Sequence, residues 1–253
     1  MNSFLNDSNY LDQHFLVDEQ VINKFLKVCN LRSEDIVVEI GAGKGVLTSL
    51  IAPKVKFLTV IEKDERLKKY LDNIPNIKII YANCLDIDLP ECDKIITSLP
   101  YSIIEPFIHK LINTNFKELY MIMGSNYVNS VLNNDITNLS LLTNSFFDIE
   151  KYFDIEPNSF NPKPRVLSSA IKLSFKRDLS ILDKIFQNLY LMKDKKVKNS
   201  LMESLIIIKG LTKRESKIFI NKLNISDNLL DKKFESYSNK ELEILYDKLK
   251  NIE

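Results

Sequence analysis

The run Ile36-Val37-Val38-Glu39-Ile40-Gly41-Ala42-Gly43-Lys44-Gly45-Val46-Leu47-Thr48 decides the fold. Apart from Glu39, its first five residues are β-branched and apolar, the composition of a strand buried on both faces. Three glycines in five positions then make a turn, and Val46 to Ile51 reads as the helix that follows. Glycine in such a turn lets backbone N–H groups come close to a ligand with no Cβ in the way, beside a helix N-terminus. The stretch predicts a small-molecule cradle at the carboxyl end of a strand.

Two common occupants of such cradles are disfavoured by spacing. A phosphate loop needs Gly-x-x-x-x-Gly-Lys-Ser/Thr, but Lys44 is followed by Gly45; a dinucleotide fingerprint needs Gly-x-Gly-x-x-Gly, but position 46 is Val. What remains is Glu-x-Gly-x-Gly-x-Gly, the first motif of methyltransferases that use S-adenosylmethionine. A second strand, Phe57-Leu58-Thr59-Val60-Ile61, ends at Glu62, 21 positions after Gly41. In a doubly wound sheet this acid lies beside the first loop and can accept from both ribose hydroxyls of a nucleoside. NAD and S-adenosylmethionine both predict it, so an NAD-dependent oxidoreductase survives on the loop and Glu62 alone.

The chain has 253 residues and 29.4 kDa, 45% hydrophobic and 27% charged, which suits a soluble globular protein with a substantial core. No apolar run reaches membrane-spanning length, and Met1 to Phe15 is polar, without a basic start and an apolar middle. A cytoplasmic protein with no membrane partner is expected. Cys29, Cys84 and Cys92 lack metal-ligand spacing and there are two histidines, so no metal is expected and the thiols read as structural. The net charge is +1, but residues 176–253 hold 17 Lys/Arg against 12 Asp/Glu, a net of +5 that leaves −4 for the first 175. That asymmetry suggests a tail that helps to hold a polyanion.

In order, residues 1 to 9 look polar and mobile, and Tyr10 to Leu16 precedes an amphipathic helix with Val21, Ile22, Phe25, Leu26 and Val28 on its apolar face. Asp64 to Leu71 reads as a helix, Ile77 to Tyr81 and Lys94 to Thr97 as strands, and the helix after Tyr101 turns Ile104, Phe107, Ile108 and Leu111 inward. Leu119 to Met123 is a fifth strand, and the alternation of Ile171, Leu173 and Phe175 suggests a late antiparallel edge. Strands alternating with helices predict an α/β, mostly parallel doubly wound sheet, the Rossmann-like architecture of class I methyltransferases, over residues 1–175. Residues 176–253 read as a small, lysine-rich, all-α domain, whose last helix opens at the capping box Ser238-Asn239-Lys240-Glu241.

Ser98-Leu99-Pro100-Tyr101 falls just past a strand end, on the same sheet edge as Gly41 and Glu62. Enzymes that methylate an exocyclic amine on a base carry Asn/Asp/Ser-x-Pro-Tyr/Phe there. An aromatic amine is a poor nucleophile because its lone pair is delocalised into the ring. A polar side chain and a backbone carbonyl that accept from its two N–H bonds push the nitrogen toward tetrahedral geometry. Proline stiffens the turn, and the aromatic ring stacks on a flipped-out base.

With these residues the chain resembles the rRNA adenine N6,N6-dimethyltransferases, the KsgA/RsmA type to which the Erm resistance enzymes are related, in a divergent, archaeal-like form. Gln13-His14-Phe15-Leu16 is similar to the family segment that closes over the methionine end of the cofactor, and Glu39 to Gly45 and Ile61 to Asp64 match its loop and ribose motifs. Phe160-Asn161-Pro162-Lys163-Pro164-Arg165-Val166 resembles its Phe-x-Pro-x-Pro-Lys-Val segment, which implies that Phe160 sandwiches the target adenine against Tyr101. Lys195 to Leu201 is similar to a basic stretch of the family's C-terminal domain.

The resemblance implies catalytic roles for Ser98, Leu99, Pro100, Tyr101 and Phe160, and cofactor contacts at Gln13, His14, Leu16, Glu39, Gly41, Gly43, Glu62 and Asn83. It implies a monomeric enzyme that uses S-adenosylmethionine to dimethylate two adjacent adenosines in a hairpin loop near the 3′ end of small-subunit (16S) rRNA, in a pre-30S particle during ribosome biogenesis.

Four departures touch recognition and catalysis. Asn83 stands where the family has an Asp that accepts from the cofactor's adenine amine, with Asp86 as a candidate substitute, and Ser98 stands for Asn. Gly124-Ser125-Asn126 replaces Gln-Lys-Glu, and Leu167 replaces an Asp. These changes raise an alternative: a catalytically weakened RNA-binding assembly factor that keeps the methyltransferase fold.

Overall fold

The computed structural model describes residues 13–252, so the expected polar lead of residues 1–9 and the run Tyr10 to Asp12 lie outside the described residues. The described chain opens with a two-residue strand β1 (Phe15–Leu16) and helix α1 (Glu19–Val28), which Asp18 caps by accepting from the Gln20 and Val21 N–H groups. Ile22, Phe25 and Leu26 form the buried stripe of α1, while Val21 and Val28 pack partly buried beside it.

Strand β2 (Ile36–Ile40), helix α2 (Val46–Ile51), strand β3 (Phe57–Glu62), helix α3 (Lys68–Leu71) and strand β4 (Ile77–Tyr81) follow. The helix expected from Asp64 is instead a 3-10 turn at Glu65–Leu67 that runs into the single turn of α3. The Asp64 side chain explains this start, because it caps the Arg66 N–H. Strand β5 (Lys94–Ser98), helix α4 (Ile104–Leu111), strand β6 (Glu118–Gly124), helices α5 (Ser125–Leu132) and α6 (Asn138–Phe146), and strands β7 (Phe147–Ile155), β8 (Phe160–Asn161) and β9 (Ser168–Phe175) complete this part.

Seven strands form one sheet in the order β4-β3-β2-β5-β6-β9-β7, and β1 pairs separately with β8. Pairing is parallel from β4 through β6 and antiparallel between β6 and β9. The expected late antiparallel strand is therefore present but interior, and the edge is β7. Its sequence, Phe-Asp-Ile-Glu-Lys-Tyr-Phe-Asp-Ile, alternates charge with apolar residues, which suits an edge that must resist pairing with other chains. Ile40 of β2 lies opposite both Ile61 of β3 and Thr97 of β5, so the residues just after these strands meet at one edge of the sheet.

By contacts the chain divides into two compact units. One holds the described residues up to Asn129 with Ile149–Phe175; the other holds Ser130–Asp148 with the residues after Phe175, so it takes in a segment that the sequence reading assigned to the first 175 residues. The second unit contains helices α7 (Ile181–Leu191), α8 (Val197–Lys209), α9 (Lys213–Lys222), α10 (Asp227–Leu230) and α11 (Asn239–Leu249). Reciprocal capping boxes at Ser180/Asp183, Thr212/Glu215 and Ser238/Glu241 start three of these helices. Phe186, Tyr190, Phe234, Tyr237 and Tyr246 form a chain of ring contacts among them.

At the amino end of the sheet, Lys94 Nζ donates to Asp35 Oδ2 at 2.8 Å and to the Asn30 carbonyl at 2.5 Å, with both side chains buried. Asp35 also accepts from the Arg32 N–H at 2.8 Å, so this carboxylate ties the turn before β2 to the start of β5. Removal of one partner strands the other charge in a dry site. We predict that Asp35→Ala lowers unfolding stability by about 3–5 kcal/mol, as measured by urea denaturation, and that Asp35→Ala/Lys94→Met recovers much of that loss.

Candidate active site

The glycine turn after β2 adopts backbone angles that only glycine takes easily. Gly43 has φ +58°, and a Cβ there would sit 3.0 Å from the Phe15 ring; Gly45 has φ +77°, and its Cβ would fall 2.8 Å from Ile74. The first glycine joins the sheet edge directly, since the Gly41 N–H donates to the Ile61 carbonyl at 2.9 Å. Glu62 then fixes the turn from the neighbouring strand. One carboxylate oxygen accepts from the Gly43 N–H at 2.8 Å, the other from the Asp64 N–H at 2.9 Å. Burial raises the Glu62 pKa, and these backbone donors oppose that rise. Each oxygen keeps a lone pair for a further donor.

A cavity of about 260 Å³ opens over this turn. Gln13, His14 and Leu16 line it from the amino-terminal segment, Glu39, Gly41, Gly43, Glu62 and Asn83 from the strand ends, Ser98, Leu99 and Pro100 from the end of β5, and Phe160 from β8. Tyr101 follows Pro100 directly in the chain. Its backbone opens a 3-10 turn at Tyr101–Ile103, and its side chain lies outside the described residues.

The amino-terminal segment reaches the cavity through β1. Phe15 pairs with Asn161 and Leu16 with Phe160, and His14 Nδ1 lies 2.8 Å from the Pro162 carbonyl. Ser159 continues the ribbon, because its carbonyl accepts from the Val17 N–H at 2.9 Å and its hydroxyl donates to the capping Asp18 carboxylate at 3.1 Å. Asp64, beside the cavity, is held below the usual carboxylate range by the Arg66 guanidinium, with a smaller contribution from the Gln13 side chain. Sequence reasoning missed this coupling of Gln13 to Asp64 and of Asp18 to Ser159. The one local signal was Asp18 as a helix cap ahead of the Val21-Ile22-Phe25 stripe.

The end of β5 is arranged so that two acceptors remain. The Pro100 carbonyl is taken by the Ile103 N–H at 3.2 Å. The Leu99 carbonyl and the Ser98 hydroxyl make no hydrogen bond among the described residues, and both residues line the cavity.

Comparison with known proteins agrees with this geometry. The family model described as ribosomal RNA adenine dimethylase matches residues 5–244. The chain belongs to this family. A Methanosarcina barkeri protein named a probable ribosomal RNA small subunit methyltransferase A is 31% identical over 212 residues, 78% of this chain and 74% of its own. A Methanococcus aeolicus protein of the same name is 28% identical over 261 residues, 96% of both chains. Among solved structures, a dimethyladenosine transferase from Plasmodium falciparum aligns with TM-score 0.64 at 20% identity, over 94% of this chain and 98% of its own. The 23S rRNA methyltransferase ErmE aligns with TM-score 0.59 at 18% identity, over 94% of this chain and all of its own. These two likenesses show the Rossmann-like methyltransferase fold.

As a ribosomal RNA adenine dimethylase family member, the chain is a methyltransferase, and its departures from the family pattern have specific surroundings. The Asn83 side chain forms a closed turn in which Oδ1 accepts from the Leu85 N–H at 3.2 Å and Nδ2 donates to Asp86 at 3.0 Å. Asp86 is exposed and does not line the cavity, so it is a turn residue and not a substitute acceptor. Ser125, in place of the family's Gln-Lys-Glu run, is buried and bonds Ser169 at 2.7 Å, while Ser169 donates to Asp154 at 2.6 Å. Leu167 is exposed, and its carbonyl accepts from the Ser125 N–H. Cys84 borders the cavity as a buried thiol whose pKa is pushed up to about 11, a poor nucleophile at neutral pH.

The residues fit a nucleoside sulfonium ligand on two observations. Each Glu62 oxygen on the cavity wall keeps a lone pair after accepting one backbone N–H, and Glu39 Oε2 is buried on the cavity wall without a hydrogen-bond partner. Burial pushes the Glu39 pKa up to about 8, so the folded protein holds a proton there that the unfolded chain releases near pH 4.5. The folded state binds the extra proton between these values, so stability falls as pH rises from about 4.5 to 8. The slope approaches about 1.4 kcal/mol per pH unit. Glu39→Gln is therefore expected to flatten stability against pH over this window and to exceed wild type most at pH 8, as measured by urea denaturation of the apo protein. Parallel curves for the two proteins would contradict the assignment.

Proposed function

We propose that this methyltransferase uses S-adenosylmethionine to dimethylate two adjacent adenosines in a hairpin loop near the 3′ end of small-subunit rRNA, acting as a monomer on a pre-30S particle. The observation that carries the reading is the meeting of two unused acceptors, Ser98 Oγ and the Leu99 carbonyl, with the Gly41–Gly45 turn and Glu62 at one cavity. When bound, S-adenosylmethionine supplies a methyl group activated by a sulfonium centre. Glu62 holds the ribose hydroxyls on the free lone pairs of its two oxygens, Asn83 Oδ1 accepts from the adenine amine of the cofactor, and Gly41, Gly43, Glu39, Gln13, His14 and Leu16 surround the remainder.

Toward the RNA, Ser98 and the Leu99 carbonyl accept from the two N–H bonds of the target amine and localise its lone pair on nitrogen. Pro100 stiffens that turn, and Tyr101 and Phe160 stack on the base. Phe160 is only 5% exposed, so a base reaches it by entering the cavity. Position and orientation then supply much of the rate. Incubation of the protein with labelled cofactor and unmodified small subunits, followed by mapping of the label, tests the reading. Label at two neighbouring adenines is expected, and no labelled adenine would overturn it.

A second reading, an RNA-binding assembly factor with weak chemistry, is favoured by the closed turn around Asn83, which already uses both ends of the amide. The double variant Asn83→Asp/Ser98→Asn separates the two. A large gain from near-zero transfer supports the assembly factor, and robust wild-type transfer removes it. For the first reading, Tyr101→Ala is expected to lower kcat/KM for RNA roughly 5- to 150-fold, the equivalent of about 1–3 kcal/mol of base stacking. Cofactor affinity by calorimetry should stay nearly constant; equal losses in both would contradict the role given to Tyr101.

A further inference from the structure

The lysines that the sequence offered for RNA contact, Lys195, Lys196 and Lys198, are engaged in ion pairs. Lys195 pairs with Glu203 at 3.0 Å, while Lys196 and Lys198 share the Asp231 carboxylate at 3.2 and 2.5 Å. The excess positive charge of the second unit is concentrated elsewhere. Helix α9 carries Lys213, Arg214, Lys217 and Lys222 against the single acid Glu215, a net of +3 in ten residues. None of these four cations makes an ion pair among the described residues. The acid is occupied at the helix start, where its carboxylate accepts from the Thr212 N–H at 2.8 Å and the Thr212 hydroxyl at 2.7 Å.

Spacing arranges the cations. Lys213, Lys217 and Asn221 form one i, i+4 row, and Arg214, Ile218 and Lys222 form the adjacent row; all six are exposed, whereas Ser216 and Ile220 face inward. Successive residues in a row stand about 6 Å apart along the axis. Ile218, 49% exposed, supplies an apolar spot within its cationic row. The helix follows α8 after only Gly210-Leu211-Thr212, with Gly210 at φ +64° ending α8. An ordinary solvated helix mixes its signs, as α11 does with Lys240 and Lys248 against Glu241, Glu243 and Asp247.

We infer that the exposed face of α9 is an RNA-backbone contact, with Lys213, Arg214, Lys217 and Lys222 on phosphates and Ile218 against sugar or base. The inference takes RNA as the partner from the proposed function, and a one-sign helix face of this kind is the electrostatic footprint of a nucleic-acid surface.

The test is RNA affinity against salt with the full-length protein and a small-subunit rRNA fragment that carries the 3′-terminal hairpin. Each lost phosphate contact reduces the log–log slope by about 0.7 to 0.9. The variant Lys213→Gln/Arg214→Gln/Lys217→Gln/Lys222→Gln is expected to bind more weakly, with a slope shallower by at least about 1.4, the value for two contacts. Lys195→Gln/Lys196→Gln/Lys198→Gln is expected to change the slope by less than about 0.7. The charge-keeping Lys213→Arg/Lys217→Arg/Lys222→Arg should retain wild-type binding, which excludes misfolding as the cause of any loss. A wild-type slope in the α9 glutamine variant, or an equal loss in the Lys195–Lys198 variant, overturns the inference. Methyl transfer is read separately on the same proteins. An α9-dependent slope without transfer by wild type would sink the proposed function alone, and transfer with an α9-independent slope would sink this inference alone.

Discussion

The site depends on one buried carboxylate. Glu62 accepts from the N–H groups of Gly43 and Asp64, so a single side chain at the end of β3 fixes the turn after β2 and the turn after its own strand. A carboxylate taken from water costs several kcal/mol unless donors replace the lost hydration. Here the donors are backbone groups, one in the glycine turn and one in the turn after β3. The arrangement is possible because β2 and β3 are parallel and in register, Ile40 beside Ile61, which brings both carboxyl ends to the same edge. Glu39, one strand position before that register pair, has the opposite environment. It is a carboxyl buried with an unpartnered oxygen, and it remains protonated well above the usual range. Two acids on adjoining strands therefore sit in opposite environments, one committed to the turn by two backbone donors and the other buried beside the Thr48 hydroxyl with an oxygen left unpartnered.

The β1–β8 ribbon links the two halves of the cavity. Leu16, on the side given to the cofactor, pairs with Phe160, on the side given to the target base, and Asp18 ties Ser159 to the cap of α1. Motion of the amino-terminal segment away from the cavity would carry Phe160 with it or break this pairing. If the amino-terminal segment closes over a cofactor as the proposed function has it, the ribbon would carry that closure to Phe160, a coupling that a glycine turn and an acid at a strand end cannot provide by themselves. Lys44 Nζ, 5.1 Å from the centre of the Phe15 ring, and Gly43, whose missing Cβ makes room for that ring, add a direct contact between ribbon and turn.

Much of this was legible in the sequence because it rests on local patterns. The β-branched run before Gly41, the acid 21 positions later and Ser98-Leu99-Pro100-Tyr101 each occupy a strand end, and parallel order brings strand ends together whatever lies between them. Features that depend on long-range pairing were not legible. Two-residue strands such as β1 and β8 carry no periodicity, so a contact between residues 15 and 161 leaves no trace in either segment. The placement of β7 at the edge outside β9 depends on how a hairpin-like return is threaded, and alternation along Ile171, Leu173 and Phe175 gives a face, not a neighbour. Asn83 shows the same limit at one residue: the substitution is plain, but the turn that engages its amide appears only in three dimensions.

The second unit teaches a related lesson about charge. Lysines clustered in sequence looked like the natural contact for a polyanion, yet Lys195, Lys196 and Lys198 fold back onto Glu203 and Asp231. Lysines spread over α9 lie closer to a common surface, because a helix gathers residues four apart and separates neighbours. Exposed ion pairs contribute little stability and are screened by salt, so those pairs do not forbid RNA contact. They do lower its benefit, since a cation already beside a carboxylate adds less to the attraction of a phosphate than one facing water. By that comparison the face that carries positive charge without local compensation is the one an RNA backbone would meet first.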